Sequence, residues 1–269
     1  MVRENLRQTR RIVVKIGTNS VMKEVSQVDY RKIDRLAYTL SSLFQDGYEI
    51  ILVTSGAIGV GASSLKLKQY PKTIPEQQAV SSVGQALLMS IYSNIFSHYN
   101  QTVGQILMTK DVLDFPESYN NTRQALESLL SAKIIPVINE NDAVAVDELN
   151  HMTRFGDNDT LSAYVAQVID ADLLIILSDI DGLYTDNPAT NPDAKKISHV
   201  KEITPEIIEM AKGKGSEFAS GGMSTKLTAA EVVLENNQKM IITSSKEPSE
   251  IFDILEGKEI GTLFSQIED

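Results

Sequence analysis

The chain has 269 residues, 42% of them hydrophobic, and its 25 Lys+Arg against 36 Asp+Glu give a net charge of −11. That length suits one large or two small domains with a substantial core, and the acidity, with no local basic patch, argues against a nucleic-acid partner. The absence of cysteine removes disulfides, thiolate catalysis and cysteine-ligated metals.

The amino terminus, Met1-Val2-Arg3-Glu4-Asn5, has no apolar signal region, and the longest aliphatic run, residues 173–177, is far too short to cross a bilayer. No membrane partner and a cytoplasmic location are expected. In chain order, residues 11–16 read as the first strand. Ile33, Leu36, Ala37, Leu40, Leu43 and Phe44 then recur at helical spacing, and Gly47 supplies a stop. A strand at 49–54, a helix at 76–98, a strand at 103–108, a helix at 118–132 and a strand at 134–138 follow. The second half repeats the alternation, with a helix at 160–169, a strand at 173–178 and helices at 205–211 and 223–236, before a strand at 240–243. Met223, Leu227, Ala230 and Leu234 form the apolar stripe of the last helix.

Continuous apolar strands alternating with helices predict an α/β fold, a mainly parallel central sheet with helices on both faces in an αβα sandwich. No linker, repeat or composition break is visible, and Pro188 and Pro192 mark a turn-rich loop, so one domain over residues 1–269 is expected. Ligands in such sheets bind beyond the carboxyl ends of the strands, and a cleft between the amino- and carboxyl-terminal halves is expected there.

Small, hydroxyl, amide and acidic residues crowd those ends. They are Lys15, Gly17, Thr18 and Asn19; Thr54 to Gly59; Asn139-Glu140-Asn141-Asp142; and Ser178-Asp179. Each taken singly reads more readily as a capped turn, and it is their convergence on one side that points to a site. Lys15 follows directly on Ile12-Val13-Val14 and must snorkel or meet an anion, and the anion is favoured. Ser220-Gly221-Gly222-Met223-Ser224-Thr225-Lys226 opens a helix. Its adjacent glycines let backbone N–H groups approach an anion, the helix terminus adds its dipole, and Lys226 supplies a mobile cation. No Walker A loop occurs, and an ordinary cap with a surface lysine is the alternative. Lys15 and Lys226 could bracket a transferring phosphoryl group, a reaction that needs positioning and charge neutralisation above all.

Gly56-Ala57-Ile58-Gly59-Val60-Gly61 reverses the dinucleotide fingerprint and gives no support to a nicotinamide or flavin site, and close packing of a helix start against the sheet explains the glycines just as well. Gly156-Asp157-Asn158-Asp159 exceeds what capping requires. With the 139–142 block it offers amides and carboxylates for a zwitterionic ligand, the rival reading being a Mg²⁺ or Ca²⁺ site without EF-hand spacing. His98, His151 and His199 share no metal-ligand spacing, and no protein-bound metal is expected.

Together, Val13-Val14-Lys15-Ile16-Gly17-Thr18, Val53-Thr54-Ser55-Gly56-Ala57-Ile58, the block from Pro136 to Val144, Gly156-Asp157-Asn158-Asp159 and Gly221-Gly222-Met223-Ser224-Thr225-Lys226 resemble the glutamate 5-kinase family of the amino-acid kinase superfamily. The motifs run in family order from Lys15 to Gly261-Thr262-Leu263-Phe264. The resemblance implies phosphorylation of the side-chain carboxylate of L-glutamate by ATP with Mg²⁺, the first step of proline synthesis. It implies that Lys15 and Lys226 stabilise the transferred group, that Gly17 and Gly56 donate backbone N–H bonds, and that Asp159 orients the lysines. Ser55, Gly56, Asp142, Asp157 and Asn158 would hold glutamate, mainly in the amino-terminal half. Lys15, Gly17, Ser178, Asp179 and the run Ser220, Gly221, Gly222, Met223, Ser224, Thr225, Lys226 would contact ATP, mainly in the carboxyl-terminal half. Feedback by proline with a contribution from the polar loop 63–75, assembly into a homo-oligomer and a link to glutamate-5-phosphate reductase are further implications.

Ser178 and Ser220 stand where relatives often carry threonine, which keeps the hydroxyl. Many relatives carry an appended carboxyl-terminal RNA-binding-type domain, whereas this sequence stops at Asp269, and catalysis is expected without that domain. Two rivals remain: a sister kinase for N-acetylglutamate, aspartate or carbamate, which the Asn139-Glu140-Asn141-Asp142 block weighs against, and a silent amino-acid sensor, which would need neither Lys15 nor Lys226.

Overall fold

The computed structural model describes residues 2–24, 27–145, 147–148, 151–152, 155, 157–212 and 221–267. In chain order a 3-10 helix at Val2–Gln8 leads into β1 (Arg11–Ile16), α1 (Thr18–Val21), β2 (Met22–Glu24), β3 (Gln27–Val28), α2 (Tyr30–Gln45), β4 (Glu49–Val53), α3 (Ala57–Ser64) and α4 (Ile74–Ser97). Then come β5 (Val103–Met108), α5 (Asp111–Asp114), α6 (Pro116–Ser131), β6 (Ile135–Glu140), β7 (Asp147–Glu148), β8 (His151–Met152) and α7 (Asn158–Val168). The remainder is β9 (Leu173–Ser178), β10 (His199–Val200), α8 (Pro205–Lys212), α9 (Gly221–Glu235), β11 (Lys239–Ser244), α10 (Glu250–Leu255) and β12 (Thr262–Phe264).

The chain divides into two compact units: Ile16–Asn158, and a composite unit of Met1–Lys15 with Asp159–Asp269. The eight strands of the main sheet are mostly parallel, with helices around them, as the alternation predicts. In the composite unit the strand order is β10-β12-β11-β9-β1, and in the 16–158 unit it is β4-β6-β5. The departures from parallel are β12, which runs antiparallel to β11, and β10, which pairs in parallel with β12. Every residue of β9 is buried, and Ile12 to Ile16 of β1 are too, which is why these strands read as unbroken apolar runs.

Local chemistry sets the helix starts. The Asp29 carboxylate accepts from the Lys32 N–H and caps α2. At α4 the Thr73 hydroxyl accepts from the Glu76 N–H while the Glu76 carboxylate accepts from the Thr73 N–H, and Pro75 occupies the first turn. The polar loop is shorter than the expected 63–75, because Ser63 and Ser64 close α3 and Ile74 and Pro75 open α4. Likewise Asn139 and Glu140, expected after a strand, are the last two residues of β6, paired in register with Leu107 and Met108 of β5.

The glycine-rich segment after β4 forms α3, and its tightest approaches are to α4, where packing against the sheet was expected. Gly56 has φ of 102°, a conformation that favours glycine. A Cβ on Gly61 would lie 2.1 Å from the Val80 carbonyl oxygen, and one on Gly84 would lie 1.7 Å from that of Ala57. Helices α3 and α4 therefore touch backbone to backbone.

Candidate active site

In the composite unit, three charged side chains meet in the interior. Lys15, at the end of β1, places Nζ 2.6 Å from Asp159 Oδ1, and Lys226, in the second turn of α9, places Nζ 3.1 Å from Asp159 Oδ2. The residues are 8%, 7% and 3% exposed for Lys15, Lys226 and Asp159, so little water screens them. Lys15 does meet an anion, and within the protein that anion is Asp159. Thr225 Oγ1 donates to Asp159 Oδ2 at 2.9 Å, and Lys226 Nζ donates to the Gly222 carbonyl at 2.8 Å. Burial pushes the Asp159 carboxyl up, but the charges of Lys15 and Lys226, with hydrogen bonds from Lys15 and Thr225, outweigh it and hold the group below the usual carboxylate range.

Two ammonium groups around one carboxylate leave one surplus positive charge. An ammonium has three donors, and among the described residues Lys15 Nζ engages only Asp159, so donors remain for an anion. The start of α9 lies in the same unit, where among the described residues a Cβ on Gly222 would meet nothing within 4 Å. A backbone N-terminus with free space is suited to phosphate oxygens.

Ser178 closes β9, and its Oγ donates to Asp179 Oδ1 at 3.0 Å, leaving Asp179 exposed. Beyond it lies a cavity of about 150 Å³ lined by Ile180, Tyr184, Asn187, Pro188, Met210 and Met223, among others. Of these only Met223 stands out in the sequence as a site residue. Met210 sits on α8, and Ile180, Tyr184, Asn187 and Pro188 lie in the turn-rich segment 180–188, whose composition hides an apolar slot. Ser220 and Gly156 lie outside the described residues.

In the 16–158 unit the candidate acceptor residues gather around the ends of β4 and β6. Thr18 Oγ1 donates to Ser55 Oγ at 3.2 Å, and Ser55 Oγ donates to the Ile16 carbonyl at 3.3 Å. Gly17 precedes α1 with an ordinary φ of −87°, and Gly56 starts α3. Tyr92 of α4 is fully buried with its hydroxyl 2.7 Å from Thr54 Oγ1, pinning the residue before Ser55. Asn158 Nδ2 donates to the Thr54 carbonyl at 2.8 Å and to Asn139 Oδ1 at 3.0 Å.

Glu140 Oε1 accepts from the Phe155 N–H at 2.8 Å and so ties the chain just ahead of Asp157 back to β6. Asp157 is half-buried, one residue before α7. Asp142, also half-buried, lines a cavity of about 280 Å³ with Ala57, Gln85, Glu140 and Asn141. Gln85, which nothing in the sequence marks out, accepts from Asn139 Nδ2 at 2.7 Å.

The amino acid kinase family profile matches residues 10–244. The glutamate 5-kinase of Listeria monocytogenes serovar 1/2a is 55% identical over 264 residues, covering 98% of this chain and 96% of its own. That of Enterococcus faecalis is 54% identical over 263 residues, covering 98% and 97%. Among solved structures, carbamate kinase from Giardia lamblia bound to AMP-PNP has a TM-score of 0.66 at 18% identity, covering 97% of this chain and 100% of that one. An isopentenyl phosphate kinase has a TM-score of 0.67 at 14% identity, covering 95% and 100%. At such identities these two structures speak to the fold alone. The relatives speak to more: the chain belongs to the amino acid kinase family and, within it, to the glutamate 5-kinases.

Proposed function

We propose that the protein transfers the γ-phosphoryl group of ATP to the side-chain carboxylate of L-glutamate, giving L-glutamate 5-phosphate and ADP, the first step of proline synthesis. The observation that carries this is the buried Lys15–Asp159–Lys226 cluster. A carboxylate oxygen of the substrate attacks the γ-phosphorus, the bond to the bridging oxygen breaks, and ADP leaves with that electron pair. The acceptor is already ionised, so no general base is needed. Lys15 and Lys226 offset the charge gathered on the transferred group, Gly17 and Gly56 offer backbone N–H groups, and Asp159 keeps both ammoniums in place.

The nucleotide belongs to the composite unit. The slot beside Tyr184, Asn187 and Met210 receives the base. Ser178, Asp179 and the run Gly221 to Lys226, with Ser220, serve the rest of the nucleotide. Mg²⁺ would accompany the nucleotide and offset part of the phosphate charge. Ser55, Gly56, Asp142, Asp157 and Asn158 hold glutamate. The residues 1–269 act as one catalytic module, in the cytoplasm, as a homo-oligomer whose product passes to glutamate-5-phosphate reductase. ADP release measured with glutamate, N-acetylglutamate and aspartate tests the reading. Turnover confined to one of the other acids would make this a sister kinase, and none with any acid would make it a sensor.

Asp142→Ala or Asn158→Ala should raise the KM for glutamate roughly 10–100-fold, the scale of a hydrogen bond to a charged group, with kcat changed far less. An unchanged glutamate KM beside a raised KM for ATP would place the acceptor elsewhere.

Proline shares with glutamate an α-carboxylate and an adjacent cationic nitrogen, and it competes for the same residues. The loop 65–73 lies within their field, since burial and then the Asp142 charge raise the Tyr70 phenol above its ordinary value. Proline inhibition should be relieved by glutamate and weakened by changes in that loop. Inhibition that saturating glutamate leaves intact would assign proline a separate site.

A further inference from the structure

We propose that Gln85 is a positioning residue for acceptor recognition, holding a chain of side-chain amides so that Asn158 presents its carbonyl oxygen to the α-ammonium of a free amino acid. The inference rests on the glutamate reading of this site and names how the amino end is read.

The chain of amides has a fixed direction. A carbonyl can only accept and a peptide N–H can only donate. The Thr54 carbonyl therefore faces Asn158 Nδ2, at 2.8 Å, and the Glu140 N–H faces Asn139 Oδ1, at 2.9 Å. Asn158 Nδ2 spends its second proton on Asn139 Oδ1 at 3.0 Å. Both amide protons of Asn158 are then used, and its Oδ1 has no partner among the described residues. A bare carbonyl oxygen attracts an ammonium and repels a carboxylate, so Asn158 reads the cationic end of the ligand.

Gln85 closes the other end. Its Oε1 accepts from Asn139 Nδ2 at 2.7 Å and stops the Asn139 side chain from swinging away from Asn158. Its backbone cannot drift, because the neighbouring Gly84 presses on α3 with no room for a Cβ. The cost of this arrangement is visible: Gln85 Nε2 is buried without a partner among the described residues, which a residue kept only for packing would not incur. Acids without a free ammonium, such as glutarate, gain nothing from the chain of amides.

Steady-state kinetics of the full chain, Gln85→Ala and Gln85→Glu, with glutamate and glutarate as acceptors, test this. Gln85→Glu keeps an oxygen for Asn139 Nδ2. Gln85→Ala should raise the glutamate KM roughly tenfold, leave kcat within about twofold, and leave the KM for ATP unchanged. The preference for glutamate over glutarate should fall by a similar factor, and Gln85→Glu should bring the glutamate KM back to within about threefold of the parent. An unchanged glutamate KM in Gln85→Ala, an equal loss with glutarate, or no recovery in Gln85→Glu would overturn the assignment. Absence of glutamate turnover in the parent protein would instead remove the functional reading, and this inference with it.

Discussion

Replacing Lys226 with alanine should lower kcat by roughly 10²–10³-fold, the scale for removing one preorganised donor aimed at developing charge. Its Nζ is not a loose surface cation. The Gly222 carbonyl and Asp159 Oδ2 hold it from two sides, so the ammonium is in place before any ligand arrives. The same magnitude is expected for Lys15→Ala, since Lys15 grips the opposite oxygen of the same carboxylate. Both lysines are assigned to the transferring phosphoryl group and not to ground-state binding of glutamate, so the KM for glutamate should change little. Arginine should not rescue Lys226, because a planar fork cannot occupy the space of a compact ammonium set between a carbonyl and a carboxylate. Single-turnover measurements at saturating ATP would separate the chemical step from product release. Near-normal turnover in either alanine variant would remove these lysines from the transferring group.

How far such a site can be read in advance depends on what kind of signal each residue leaves. The strands β9 and β1 are legible because burial on both faces forces unbroken aliphatic runs. Lys15 is legible for the same reason, as a charge set at the end of such a run. Helix α3 was not, because glycines at 56, 59 and 61 lower helix propensity, and only the close approach of α4 makes them favourable. Strands of two or three residues, such as β10 and β12, are too short to show a period. That Lys15 and Lys226 share Asp159 is invisible to spacing and entered only through the family resemblance. Gln85 left no trace at all, since a glutamine between Gly84 and Ala86 looks like any polar position on a helix.

The largest effect on stability should come from Asp159→Asn, at about 3–5 kcal/mol, the scale for stripping one partner from a buried ion pair. The residue is 3% exposed, so water cannot replace the lost charge, and Lys15 and Lys226 are left facing each other in the interior. Activity should fall as well, because neither ammonium is then held in position. The pH dependence identifies the cause. Burial raises the Asp159 pKa, but Lys15 and Lys226 more than compensate, so its folded value lies below the unfolded value of about 3.9. A depressed folded pKa means the unfolded chain takes up the proton first as pH falls. The stabilisation is therefore complete above about pH 4 and is lost as pH drops through the folded value. Urea unfolding of parent and variant at neutral pH should show the full gap between them, and the gap should close steadily in the acid range. A gap of the same size at every pH would mean that the shape of Asp159, and not its charge between two lysines, holds this part of the protein together.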